Sequence, residues 1–268
     1  VISGALFIGS HFKRPIFGLA VGVLIGGLGQ FGFQLPFLKK HGFNWKFRFF
    51  PIHPGLKQAG RMMLPVIVGL VAAQVNIMVD NKLASYLSAG SISSLQYATR
   101  LFQLPLGLFT IAISTAILPR LSGKWARKDT QGFSETLKHG ISLCTLIILP
   151  AMIGLWVMGE PVIKLLFEHR SFTPADTART AYVLNYYLIG LAGYSLVHLF
   201  TRAFYSIQKT FVPVLSGIIA VFVNVGLDLL LIQPMGIGGL ALATAVSGIV
   251  NGLVLLFLFF YTTEMQGF

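Results

Sequence analysis

Acidic residues are scarce in this chain: only eight of its 268 residues are Asp or Glu, against twenty Lys or Arg, and charged residues of either sign make up 10%. With 55% hydrophobic residues and a mean hydropathy of +0.78, it has too little charge to cover a soluble globule and reads as an all-α integral membrane protein. Cysteine is scarcer still. Cys144 stands alone in ISLCTLIILP, which excludes a disulfide framework or a cysteine-based zinc site within one chain and leaves it the role of a small core hydrophobe. The six histidines show no H-x-x-x-H spacing, and no two carboxylates stand close in sequence, so neither a zinc hydrolase nor a magnesium-diphosphate enzyme is indicated. No catalytic residue, and no enzyme, is expected. There is no initiating Met and no signal peptide with a cleavage site, so the chain is expected to be a fragment.

What the chain has in abundance is long apolar runs. Runs able to cross a hydrocarbon core of about 30 Å, which takes about 20 helical residues, lie near 16–37, 62–87, 92–119, 138–167, 181–205, 211–233 and 239–261, and residues 1–10 read as the end of an earlier span. This predicts a polytopic helix bundle of seven whole transmembrane helices and one partial. SAGS (88–91) and PMGIG (234–238) are short enough to be tight helical hairpins. Of the basic residues outside the spans, thirteen fall in one set of alternate connectors and four in the other. Basic loops stay in the cytoplasm, so the tight hairpins face outward, and the net charge of +12 needs no nucleic acid to explain it. GLGQFG (27–32) spells a dinucleotide fingerprint, but no strand precedes it, and Gly18, Gly22 and Gly26 read instead as a helix-packing face. Pro65, Pro105 and Pro150 predict kinks, with Pro105 beside Gly107 a candidate hinge.

Against this background the few polar residues inside spans form a pattern. Asp80 in NIMVDNKLAS lies about as far before the first hairpin as Arg100 lies after it, and Asp228 and Thr244 flank the second hairpin in the same way. At 1.5 Å per residue all four sit about 9 to 14 Å below the hairpin tips. Asn224 shares a helical face with Asp228 at i,i+4. Intramembrane charges cost about 2.5 to 3.5 kcal/mol each on insertion scales and therefore face one another or a cavity. Two readings follow: Arg100 neutralises one of the acids as a buried ion pair, or the acids hold a coupling cation while Arg100 meets an anionic substrate, for which guanidinium suits phosphate. Lys82, nearer the membrane surface, can snorkel.

QAGRMMLPVIVG, NIMVDNKLAS, GSISSLQYATRLFQLPLGLF and STAILPRLS together resemble the second lobe of the MurJ (MviN) lipid II flippases, in the multidrug/oligosaccharidyl-lipid/polysaccharide exporter superfamily. The resemblance runs over essentially the whole chain and is most specific over 58–122. It implies two pseudo-symmetric six-helix lobes around a cationic cavity, of which this chain would carry the end of helix five, helix six (residues 1–37), a basic cytoplasmic linker (38–61), the second lobe (62–261) and the start of a cytoplasmic connector (262–268). It also implies that Arg100 is the cavity arginine that meets the substrate pyrophosphate. Asp80, Asn224, Asp228 and Thr244, with the backbone carbonyl near Leu240, would form a sodium site. Thr99 departs from relatives that carry an acid before the arginine.

The function expected on this basis is outward transport of an undecaprenyl-pyrophosphate-linked peptidoglycan precursor by alternating access. It would run in the bacterial inner membrane, in a multi-pass monomer without a cofactor beyond a possible Na+ coupling ion. A sister exporter of other lipid-linked oligosaccharides or drugs is the near alternative. A membrane-embedded polyprenyl-phosphate transferase is a more distant one, since it would want its acids at the cytoplasmic face.

Overall fold

The computed structural model describes residues 16–40, 42 and 54–264. The partial helix expected over 1–10 and most of the basic linker lie outside these residues. The chain divides into two units, 1–53 and 54–268. The first contains α1 (Ile16–Lys40), whose last turn carries Lys39 and Lys40, where the helix dipole favours cations.

The second unit is a helical bundle, with no strand among the described residues. It begins with α2 (Pro54–Ala84), which starts eight residues before the apolar run at 62. Pro54 at its first position is preset for a helix and lacks the N–H that would go unpaired there. Gly90, at φ 89°, then caps α3 (Ser91–Pro105). Pro105 leads into a π-helical turn, Leu106–Ile111, before α4 (Ala112–Ala126) resumes. The expected kink at Pro105 is thus a change of helical pitch inside one span. α2 and α5 (Thr130–Phe167) run on through Pro65 and Pro150. Thr110 in the π turn is fully buried; its hydroxyl lies 3.1 Å from that of Ser195 and in hydrogen-bond contact with Cys144. Cys144 is buried, as its apolar setting predicts.

The run expected as one helix over 181–205 is two, α6 (Pro174–Ile189) and α7 (Leu191–Ser206), bent by 47° at Gly190. The reason lies in the neighbour, α9 (Ile237–Glu264). A Cβ at Gly190 would sit 2.6 Å from Ala245 Cα, and one at Gly193 would sit 2.6 Å from Ile249 Cα, so the two backbones cross in near contact, which only small residues permit. α8 (Phe211–Met235) precedes α9 through Gly236 at φ 56°, a conformation with little cost for glycine alone. Counting the bent pair as one span, seven spans among the described residues are long and apolar enough to cross a membrane.

Three of the scarce acids serve helix ends. Asp129 Oδ1 accepts the Gly132 amide at the start of α5 while Oδ2 pairs with Lys124 Nζ at 2.6 Å. The Lys124 hydrogen bond, then that from Gly132, holds this carboxyl below the usual carboxylate range. Asp176 closes a capping box with Thr173 at the start of α6, and Glu168 accepts from Thr177 at 2.6 Å.

Two buried apolar clusters fill the bundle, one around Leu101, Leu184, Leu188 and Leu240, the other around Leu121, Phe200, Phe204 and Phe259. The outside is more apolar than a soluble surface: Leu165 is 75% exposed and Phe222 74%, as lipid-facing positions are. Arg179 donates to the Ala89 carbonyl at 2.6 Å, and a side chain at Gly238 would strike the ring of Tyr182. The turns at 85–90, 168–173 and 236 therefore share one end of the unit. With Lys124, Arg127, Lys128 and Lys209 in or beside the turns at the other end, cysteines placed at Ser88 and Met235 are expected to react with an impermeant maleimide on intact cells; labelling of both only after permeabilisation would reverse the orientation.

Candidate functional site

At the meeting of α2, α8 and α9, each helix presents an i,i+4 pair to one place: Asn76 and Asp80 from α2, Asn224 and Asp228 from α8, Leu240 and Thr244 from α9. Residues four apart share a helical face, so three helices supply a compact polar layer. Asp228 is 0% exposed, and Asn224 and Leu240 are 1% exposed; Asn76 and Asp80 are half-buried.

The carboxyls of Asp80 and Asp228 lie in hydrogen-bond contact, which requires a proton on one of them. The Asn224 amide nitrogen lies 2.7 Å from Asn76 Oδ1, 3.0 Å from Asp228 Oδ2 and from Asn76 Nδ2, and 3.3 Å from Asp80 Oδ1, so its two hydrogens are shared among the three oxygens, while its own oxygen accepts from the Thr244 amide at 3.0 Å. The reverse orientation would aim a carbonyl at both carboxylates and set two donors together at Thr244, so hydrogen bonding selects this one. Thr244 Oγ1 donates to the Leu240 carbonyl at 3.0 Å, and the Tyr194 hydroxyl reaches the Thr244 carbonyl at 3.4 Å. Asp228 Oδ1 is buried without a partner.

All five residues expected to make the cation site thus converge. Asn76 and Tyr194 are additions that sequence reasoning missed, although Asn76, four residues before Asp80 in the same stretch, could have been found by extending the i,i+4 rule from the acid. The donor set is carboxylate, amide, hydroxyl and carbonyl oxygen, which suits a hard cation; among the described residues no three His, Cys, Asp or Glu side chains cluster as a softer metal would want.

Arg100 stands apart. It is exposed on α3, and the ion pairs among the described residues, Lys124 with Asp129 and Arg179 with Asp176, do not involve it. The reading of Arg100 as a buried counter-ion to Asp80 or Asp228 therefore fails. Beside it, Thr99, the noted departure from relatives that carry an acid there, is hydrogen-bonded with the buried Tyr187. Lys82 is exposed and lies 5.4 Å from the Tyr86 ring.

The second unit thus defines an integral membrane bundle with a polar layer enclosed between three helices and an arginine exposed outside it. A solved structure described as "Inward-facing conformation of a multidrug resistance MATE family transporter of the MOP superfamily" matches 82% of this chain and 50% of that one, with a TM-score of 0.72 at 14% identity, a likeness of fold alone. The chain belongs to the lipid II flippase MurJ family, whose pattern, described as "Lipid II flippase MurJ", matches residues 1–266. A "Probable lipid II flippase MurJ" of Vibrio cholerae is 40% identical over 253 residues, 92% of this chain and 47% of that protein; one of Thermotoga maritima is 38% identical over 229 residues, 85% of this chain and 46% of that protein. A solved structure, "Lipid II flippase MurJ, inward closed conformation", matches with a TM-score of 0.74 at 30% identity, over 93% of this chain and 52% of that one. The chain spans about half the length of the curated relatives it matches. It is a multi-pass protein of the bacterial inner membrane.

Proposed function

We propose that this chain forms half of a flippase that carries an undecaprenyl-pyrophosphate-linked peptidoglycan precursor outward by alternating access, driven by a cation held between α2, α8 and α9. The observation that carries the reading is the separation of charge. Arg100 is exposed and unpaired by the acids, so its planar guanidinium is available to phosphate oxygens, while the two acids are turned inward with neutral oxygen donors.

Asp80, Asn224, Asp228, Thr244 and the Leu240 carbonyl would hold the ion, most simply Na+, which would supply positive charge to join the carboxylates. The same residues joined by a shared proton are the competing form. α2 packs chiefly on α8 and touches α3 and α9 only slightly; filling or emptying the polar layer therefore changes how firmly α2 is tied to α8 and α9. A bound species shifts an alternating-access equilibrium only through such a difference between states. The molecule acts as a transporter without catalytic chemistry, as a monomer, with no nucleic-acid partner. A drug exporter of the same fold would want an acidic face for cationic cargo, which Arg100 opposes.

Arg100→Lys keeps the charge and loses the fork, and is expected to lower flipping of a fluorescent lipid II analogue in proteoliposomes about tenfold; Arg100→Ala is expected to lower it about a hundredfold, both with unchanged thermal stability. Wild-type transport by Arg100→Ala would remove the substrate role.

A further inference from the structure

We propose that Asn76 is a further ligand of the cation site, and that the Asn224 carboxamide reverses to let the site form. This rests on the cation-coupled reading above. Oxygens of Asn76, Asp228 and Asp80 lie 2.7, 3.0 and 3.3 Å from the Asn224 amide nitrogen, with the Asn76 amide nitrogen at 3.0 Å beside its own oxygen. Three acceptors can converge on one point only if a donor or a cation lies there. In this structure the amide nitrogen is that donor.

Oxygens about 2.4 Å from a small hard cation lie about 3.4 Å from one another along an octahedral edge; Asp80 Oδ1, at 3.3 Å from the amide, already stands at that spacing, while Asp228 Oδ2 and Asn76 Oδ1, at 3.0 and 2.7 Å, move outward to reach it. Reversing the Asn224 side chain replaces the nitrogen by a carbonyl oxygen, which joins the two carboxylate oxygens and Asn76 Oδ1 as a ligand set for a cation, the Asn76 amide nitrogen being the one donor already beside it. In that orientation the amide nitrogen lies 3.4 Å from Thr244 Oγ1 as a donor and faces the Thr244 backbone N–H from 3.0 Å, a donor-to-donor contact that the bound cation has to offset. Asp228 Oδ1, buried with no partner, is a second observation that points to a missing positive group.

Asn76 also bears on selectivity. A neutral oxygen raises the number of ligands without adding a third negative charge, and a shell with two carboxylates is already more than a monovalent ion neutralises. An acid at this position would favour a divalent ion.

The test is thermal unfolding of the purified protein in nanodiscs, titrated with sodium, potassium or calcium at fixed ionic strength. Asn76→Leu is expected to raise the sodium midpoint about tenfold or more, and Asn76→Asp to keep the sodium response and gain one to calcium. If Asn76 merely ties α2 to α8, Asn76→Leu lowers stability equally in sodium and potassium and leaves the sodium midpoint in place, which overturns the inference. Should Asn76→Leu not fold, an unaltered ratio of calcium to sodium response in Asn76→Asp overturns it instead. No sodium-specific shift in the wild type overturns the cation reading and this inference together.

Discussion

Asp228→Asn is expected to abolish sodium-specific stabilisation of the purified protein. Asp228 is the most enclosed of the polar groups at the α2, α8 and α9 junction, with one carboxylate oxygen within 3.0 Å of the Asn224 nitrogen and the other unpartnered. The amide that replaces it can still donate to Asp80, so the helices stay joined in the absence of the ion. What is lost is the negative charge that a cation would neutralise. Wild-type protein at a sodium concentration about a hundred times its dissociation constant should gain about 2.7 kcal/mol over potassium at equal ionic strength, and the variant should gain none. Equal shifts in both salts for the wild type, or a full sodium shift in the variant, would leave a shared proton or a purely structural acid pair.

The second large effect is expected where α7 meets α9. Gly193→Leu places a side chain 2.6 Å from Ile249 Cα and 2.7 Å from its backbone nitrogen, and backbone, unlike a flexible side-chain tip, cannot step aside. The two helices must part, at a cost of about 3 kcal/mol, and the aggregation temperature in detergent should fall accordingly. Gly154→Ala and Gly226→Ala serve as controls, since a Cβ at either meets nothing within 4 Å; relief of glycine's backbone entropy should leave them neutral or about 0.5 to 1 kcal/mol more stable. If Gly193→Leu were as stable as the controls, the close crossing would be wrong.

These cases mark what a sequence can show of such a protein. The spans were readable because crossing hydrocarbon requires length and apolarity, and both are local properties. The convergence of Asp80, Asn224, Asp228 and Thr244 was readable because charge is expensive in a span, and equal depths on neighbouring hairpins leave few places for it. The bend at Gly190 was not readable: a glycine among apolar residues looks the same whether it bends a helix or admits a neighbour, and here the decision rests with Ala245 and Ile249, more than fifty residues away. The fate of Arg100 was equally non-local. Its depth matched that of the acids, but which way α3 turns its face depends on packing against α6 and α9, which no spacing reveals. Asn76 escaped because a neutral amide carries less expectation than an acid.

The length of α5 has a mechanical meaning. Its 38 residues make a rod about 57 Å long, nearly twice the thickness of the hydrocarbon it crosses, about 30 Å. The opening turns, TQGFSETLKH, are mostly polar and are fixed like the foot of a mast stepped into its socket, by Asp129 and Lys124 and by Phe133 and Leu137 in the cluster around Phe204 and Phe259. A tilt of a few degrees of the rod becomes a displacement of several ångströms at that foot, away from either candidate site. A spin label or fluorophore at Gln131 would therefore read the posture of the whole lobe without touching the parts that move the cargo.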